Sequence, residues 1–346
     1  YEIQHSWSKY FVIINVLKVI KVIKMSSIAS FVNHSKFGLV NFLLLPFSVV
    51  FFIFCNIRLW LYKLGLLQVN VSPLPVIVVG NITAGGTGKT PIVIAIANYF
   101  VSQNKKVGVV SRGYGGKYTQ ESLEVTLLSN PIECGDEPLL IKQQTEVPVV
   151  VAKKRSNAIE FLIKNYSLDV IISDDGLQHY SMGRDIEIAV IDGHNRLGNG
   201  WFLPAGPLRE AKRRLKSVDF IINNGSQEKG EVPCRVEAEC YINLVTNEKK
   251  ELDHFKSKKC FAVAGIGNPK NFYKLLESQG VNLITKTFAD HYSFSEKDLD
   301  FKEDYPIIMT AKDCVKCKHF ATNQMWYLSV SAELSKDFYK QLESKL

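Results

Sequence analysis

The apolar run Val76-Ile77-Val78-Val79 opens directly into Gly80-Asn81-Ile82-Thr83-Ala84-Gly85-Gly86-Thr87-Gly88-Lys89-Thr90, and this constrains the chain more than any other feature. β-Branched residues in a short apolar run suit a strand buried on both faces of a parallel sheet. The glycines let backbone N–H groups curl around an anion, Lys89 reaches the outer phosphates of a nucleotide, and Thr90 offers a hydroxyl to Mg2+. Pro91 then fixes φ in the first turn of a helix through Ile92-Val93-Ile94-Ala95-Ile96-Ala97. Strand, loop and helix in this order make Thr83, Ala84, Gly85, Gly86, Thr87, Gly88, Lys89 and Thr90 the expected phosphate cradle. Thr83 departs from the consensus loop, which has its first glycine there; Gly85 and Gly86 are placed to supply the flexibility.

Further short apolar runs at 107–110, 147–151, 170–172, 186–191 and 220–222 are separated by helix-length polar segments. That alternation predicts an α/β fold, a doubly wound, mostly parallel sheet of the P-loop NTPase kind. Ligands in such sheets sit at the carboxyl ends of the strands, so the residues just after each run are the ones to inspect. Ser111-Arg112-Gly113-Tyr114-Gly115-Gly116 offers a cation and close backbone approach. Asp174-Asp175 occupies the position of a Walker B carboxylate, which holds Mg2+ or its water shell. Gly135-Asp136-Glu137-Pro138 places two carboxylates side by side, suited to metal coordination and to taking a proton from an acceptor hydroxyl, or to an acidic helix start. Leu203-Pro204-Ala205-Gly206-Pro207-Leu208-Arg209-Glu210 is a stiff loop that presents Arg209, followed by a basic cluster at Lys212, Arg213, Arg214 and Lys216 that reads mainly as a solvated helix face.

Residues 37–55 carry no charge and, if helical, match the thickness of a bilayer core, with Arg58, Trp60, Tyr62 and Lys63 as an interfacial fringe. A membrane-associated helix over 37–62 is expected, inserted across or along the bilayer; a long core helix is the alternative, because Asn41 and Ser48 soften the segment, and a signal peptide fits poorly because no small-residue cleavage site follows. Residues 1–36 form an extension of uncertain role in which 11–24 is apolar with lysines at 18, 21 and 24, and Met25 is a candidate natural start. The net charge of +8 favours acidic partners without choosing among nucleic acid, anionic lipid and phosphorylated metabolite. Seven scattered cysteines do not form a secreted disulfide framework and fit a reducing cytosol; Cys314 and Cys317 have a half-zinc spacing but no second pair.

With these motifs in one order, the chain resembles the tetraacyldisaccharide 4'-kinase family of lipid A biosynthesis. Ala264-Gly265-Ile266-Gly267-Asn268-Pro269, Phe288-Ala289-Asp290-His291 and Thr310-Ala311-Lys312-Asp313-Cys314-Val315-Lys316 extend the match toward the C-terminus, as does Asp174-Asp175-Gly176-Leu177-Gln178-His179 in the core. The resemblance implies transfer of the γ-phosphoryl group of ATP, with Mg2+, to the 4'-hydroxyl of a lipid disaccharide 1-phosphate, giving lipid IVA. It implies the cytoplasmic face of a bacterial inner membrane, contact with inner-membrane lipid, no nucleic acid and no obligate protein partner. It also implies a core over 70–230, a two-stranded linker drawn from 231–256, and a smaller α/β domain over 257–346.

By the same resemblance Asp136 removes the proton from the sugar hydroxyl, supported by His291 of the Asp290-His291 pair. Lys89 neutralises the transferring group and Arg209 is the candidate for stabilising charge in the transition state. Thr90, Glu137 and Asp174 form the expected metal set, with the division among Asp174, Asp175 and Glu210 left open. The alternative is a P-loop GTPase or ATPase acting as a switch or membrane-assembly factor. A guanine-specific Asn/Thr-Lys-x-Asp motif would mark a GTPase, and the sequence has none.

Overall fold

The computed structural model describes residues 37–346. The extension over 1–36, with its apolar stretch and Met25, lies outside the described residues. The chain runs α1 (Leu39–Lys63), β1 (Val76–Gly80), α2 (Lys89–Ser102), β2 (Val107–Ser111), β3 (Leu123–Val125), α3 (Pro131–Cys134), α4 (Asp136–Thr145), β4 (Val149–Val151), α5 (Arg155–Asn165), β5 (Val170–Asp174), β6 (Ile186–Asp192), β7 (Phe220–Asn224) and β8 (Val232–Asn243). It continues through β9 (Lys249–Lys250), β10 (Lys259–Ala264), α6 (Pro269–Ser278), β11 (Asn282–Thr287), β12 (Ile307–Thr310), α7 (Ala311–Cys317), β13 (Met325–Glu333) and α8 (Lys336–Glu343).

Among the described residues, these strands form one sheet in the order β11-β10-β12-β13-β8-β7-β6-β1-β5-β2-β4-β3, with β9 on β8. β1 is parallel to both neighbours, Val79 opposite Asp174 of β5 and Gly80 opposite Ala189 of β6. Its side chains and those of β2, β4 and β5 are buried, which is why their sequences run apolar without alternation until the polar Ser111 and Ser173-Asp174 at the carboxyl ends of β2 and β5. α2 and α4 cover one face, and α5 covers the other.

The stretch expected as a linker is mostly strand. β8 pairs in parallel with β7 through Val232–Cys234 and then antiparallel with β13 from Arg235 to Asn243, so the larger and smaller halves share one hydrogen-bonded sheet. Two cores pack on the smaller half's strands, one including Tyr241, Phe255 and Leu276 and the other Phe261, Phe294 and Met309. β13 ends at Glu333. The following α8 crosses back to the larger half: Phe338 packs edge-on against Phe220 and Tyr339 stacks on Tyr99 with ring centroids 4.0 Å apart.

α1 is long and apolar enough to cross a membrane, and most of it is exposed. Its buried residues are polar, Asn41 and Ser48, two helical turns apart. Asn41 Nδ2 donates to the Ala205 carbonyl at 2.7 Å, and Ser48 Oγ accepts from Ala205 N at 3.1 Å while donating to the Phe202 carbonyl. Phe52 meets Phe202 edge-on, and Arg213 donates to Asn56. The residues that interrupt the apolar run therefore mark the stripe that grips the 199–213 segment, while Leu39, Phe42, Leu43 and Phe47 face outward.

Phe338 ties the C-terminal helix to the larger core, so Phe338→Ala is expected to lower the unfolding free energy by about 3–5 kcal/mol. Denaturant unfolding of the full chain measures this, and a loss below about 1 kcal/mol would detach α8 from that core.

Candidate active site

The loop after β1 is held from the side. Thr83 bridges Leu208 in antiparallel fashion, Ala84 N donates to the Pro207 carbonyl at 2.7 Å, and Arg209 N donates to the Ile82 carbonyl at 2.7 Å. An extended, bridged position suits a β-branched residue, which accounts for threonine where the consensus has glycine. Glycine is required further on: Gly88 has φ +82°, and a Cβ there would lie 2.3 Å from Asn224 Nδ2. Asn224, at the end of β7, donates to the Thr87 carbonyl at 3.1 Å and buttresses the turn.

The two aspartates after β5 differ in environment. Asp175, with left-handed backbone at φ +49°, receives Arg209 Nη1 at 3.0 Å and faces Lys89 Nζ at 3.6 Å. Burial pushes the Asp175 carboxyl up, but Lys89 and Arg209 outweigh it and hold it well below the usual range. Asp174 is fully buried, and its carboxyl is raised by burial and by the Glu137 and Asp175 charges. Ser111 Oγ donates to Asp174 Oδ2 at 3.2 Å, whereas Oδ1 is buried without a hydrogen-bond partner. Arg155, which the sequence reading passed over, lies beneath and donates to the Asp174 carbonyl at 3.0 Å.

The third element is a seam between the halves. α4 begins with Asp136 and Glu137, and α7 packs against it from the smaller half. His291 Nδ1 lies 3.1 Å from Asp136 Oδ2 across 155 residues of sequence, and Asp290 Oδ2 lies 3.8 Å from His291 Nε2. Lys312 Nζ reaches Glu137 Oε1 at 2.9 Å, His291 Nε2 at 3.4 Å and Asp290 Oδ1 at 3.5 Å. A lysine ammonium only donates, so Nε2 is assigned as acceptor and the neutral imidazole carries its proton on Nδ1, toward Asp136. Burial opposes ionisation of Asp136, but the His291 hydrogen bond and the Lys312 charge bring its carboxyl below the usual value. The smaller half also approaches the phosphate loop: a Cβ on Gly267 would sit 3.0 Å from Gly86 N, and Asn268 Nδ2 lies 3.4 Å from Asp192 Oδ2.

A phosphate loop, strand-end aspartates and an Asp–His pair on one sheet edge define a nucleotide enzyme, and comparison with known proteins decides which kind. The family model described as tetraacyldisaccharide-1-P 4'-kinase matches residues 40–346. The chain belongs to this family. It is 54% identical over 309 residues to the tetraacyldisaccharide 4'-kinase of Ruthia magnifica, covering 89% of this chain and 98% of that one. It is 43% identical over 311 residues to the Coxiella burnetii enzyme of the same name, covering 88% and 92%. The crystal structure of the "apo" form of LpxK from Aquifex aeolicus in complex with ATP superposes with a TM-score of 0.75 at 29% identity, covering 89% of this chain and 98% of that one.

In this member of the family a cleft of about 1230 Å3 runs from α1 to the strand-end carboxylates. Phe51, Phe54, Leu59 and Tyr62 of α1 give it an apolar wall, and Arg112, Lys153 and Asp174 line its other end. Glu210 borders the same cleft but makes its contacts away from Asp174 and Asp175: it accepts from Tyr180 and faces Arg214 Nε at 3.6 Å. Among the described residues no cluster of three carboxylate, imidazole or thiolate side chains is arranged to hold a metal by itself. Mg2+ bound with substrate phosphates needs only one or two carboxylates, and the unpartnered Asp174 Oδ1 beside Glu137 fits that demand.

Lys312 is the main residue that sequence reasoning left without a role. It stands inside the Thr310-Ala311-Lys312-Asp313 run, so its position was visible, but its partners come from 137, 290 and 291. His179 offers a contrast to His291. Burial and the Arg155 charge push His179 down to about 4, whereas burial of His291 is outweighed by its bond to Asp136, which raises it above 6.5. NMR titration of the imidazole signals is expected to show His291 protonating at higher pH than His179; the opposite order would argue against the His291–Asp136 pair.

Proposed function

We propose that this chain transfers the γ-phosphoryl group of ATP to the 4'-hydroxyl of a tetraacyldisaccharide 1-phosphate, forming lipid IVA in lipid A biosynthesis. The observation that carries the reading is the single cleft joining the apolar wall of α1 to the carboxylates behind the phosphate loop. An acceptor with acyl chains and a sugar needs both ends at once. We place the protein at the cytoplasmic face of the inner membrane, with the outward side of α1 against lipid, because ATP and the exposed apolar helix face are then both accommodated.

Phosphoryl transfer asks a protein chiefly to position groups and to stabilise charge. Backbone amides of residues 85–90 cradle the phosphates, the Ala84 N–H being held by the Pro207 carbonyl, and Lys89 and Arg209, held by Asp175, supply positive charge beside them. Asp136 is the base: its carboxylate is kept ionised by His291 and Lys312 and takes the proton of the attacking hydroxyl. Asp290 acts through Lys312, which it meets at 3.5 Å and which donates toward the outer nitrogen of His291. Asp174 and Glu137, with Thr90, are the groups that would hold Mg2+, which when bound neutralises charge on the phosphates. Glu210, turned toward Tyr180 and Arg214, orders the wall of the acceptor cleft in this reading. Approach of the 265–268 loop to Gly86 shields the transfer from water.

Incubation with ATP, Mg2+ and a lipid disaccharide 1-phosphate is expected to yield a bis-phosphorylated lipid, read by mass spectrometry. Asp136→Ala should lower kcat by about 100- to 10,000-fold, the usual span for loss of a general base, in a protein with unchanged thermal unfolding. Near-normal turnover would remove Asp136 from that role. Deleting residues 37–62 is expected to release the protein from sedimented phospholipid vesicles, and full retention would move the anchor elsewhere.

A further inference from the structure

Lys312 is fixed by its own half of the molecule before it reaches the other. Thr310 caps α7, accepting the Asp313 N–H at 3.1 Å, and the fully buried Asp313 accepts Gly265 N at 2.9 Å and pairs with Lys316 at 2.7 Å. From this anchored turn the Lys312 side chain crosses the seam to Glu137 Oε1 at 2.9 Å and Asp136 Oδ2 at 3.9 Å, while staying 3.5 Å from Asp290 Oδ1 of its own half. Among the described residues no other lysine or arginine forms an ion pair with any of these three carboxylates.

The packing of the halves gathers negative charge. Asp290 and His291 arrive on the smaller half, and Asp136 and Glu137 wait on α4. Like charges brought together where water is thinned repel strongly unless a counter-ion enters with them. Lys312 belongs to the arriving half and touches every acidic member of the group. Its ammonium also donates toward His291 Nε2 at 3.4 Å, which fixes the tautomer that points Nδ1–H at Asp136.

We propose that Lys312 is a positioning residue that couples closure of the two halves to assembly of the Asp136–His291 pair, acting as the counter-charge without which Asp290 cannot approach Asp136 and Glu137. The inference rests on the kinase reading for its effect on turnover, but the closure it describes has a readout of its own. Asp136 remains the proton acceptor; Lys312 acts through it.

The test compares full-length wild type, Lys312→Gln, Lys312→Arg and the double variant Lys312→Gln/Asp290→Asn. Hydrogen–deuterium exchange with a non-hydrolysable ATP analogue reports on segments 82–88 and 264–268, which meet across the seam. Lys312→Gln is expected to speed exchange there by about tenfold, between the loss of an exposed and of a fully buried ion pair, since Asp136 is buried while Glu137 and Asp290 are partly exposed, and to lower kcat while KM for ATP, bound by the other half, stays within about threefold. Lys312→Arg should recover protection and most of kcat. The double variant should recover protection but not turnover, because the repulsion is gone while His291 has lost the Lys312 donor that fixes its tautomer. Unchanged exchange in Lys312→Gln would overturn the proposal. So would a lowered Tm with loss of protection that neither Lys312→Arg nor the double variant restores, which would assign Lys312 to folding alone. If the exchange pattern appears as expected while even the wild type fails to phosphorylate the lipid, the kinase reading falls and the closure device stands.

Discussion

Parallel pairing of β1 with β5 and β6 is the constraint on which the rest of the molecule depends. With Val79 opposite Asp174 and Gly80 opposite Ala189, the strands end together and one sheet edge receives the phosphate loop, the aspartate pair and the Asp192 turn. A shift in that register would separate Lys89 from Asp175 and leave two cations and a half-buried carboxylate without partners. The burial of β1 on both faces fixes the register, because its apolar side chains are complementary to neighbours on either side.

The sheet then extends the same logic to the smaller half. β8 leaves β7 and runs on into the antiparallel pair with β13, so the connection that carries the Asp290-His291 pair and Lys312 is hydrogen-bonded backbone rather than slack chain. α8 returns from β13 to the larger core and fastens the other end of that crossing. This architecture places the α7 terminus at the α4 terminus, and charges from both halves meet there. Energy is committed at the same place: His291 and Asp175 both hold left-handed backbone at φ +58° and +49°, a strain that the surrounding contacts must offset.

α1 shows how far a linear pattern can be read and where it stops. Its length and lack of charge are local facts, and they mark a membrane-length helix without any reference to the fold. Asn41 and Ser48 look in the sequence like soft spots in an apolar segment. In the structure they are the contacts that dock the helix on Phe202 and Ala205, since a buried backbone carbonyl calls for a donor. Glu210 makes the complementary point. Its neighbour Arg209 turns to Asp175, but the Glu210 carboxylate is taken by Tyr180 and Arg214, and adjacency in sequence does not reveal which way a side chain faces.

The sequence by itself determined the phosphate loop, the strand ends that carry Asp174 and Asp175, and the long apolar helix. Each is written in consecutive residues whose periodicity and backbone chemistry act over one turn or one strand. Only the tertiary structure decided the partners: that Asp175 holds Lys89 and Arg209, that Asp174 keeps an unpartnered oxygen, and that Lys312 stands among Asp136, Glu137, Asp290 and His291. Charge and hydrogen-bond complementarity act between groups tens to well over a hundred residues apart, and those at the seam are settled when the two halves of the sheet pack against each other.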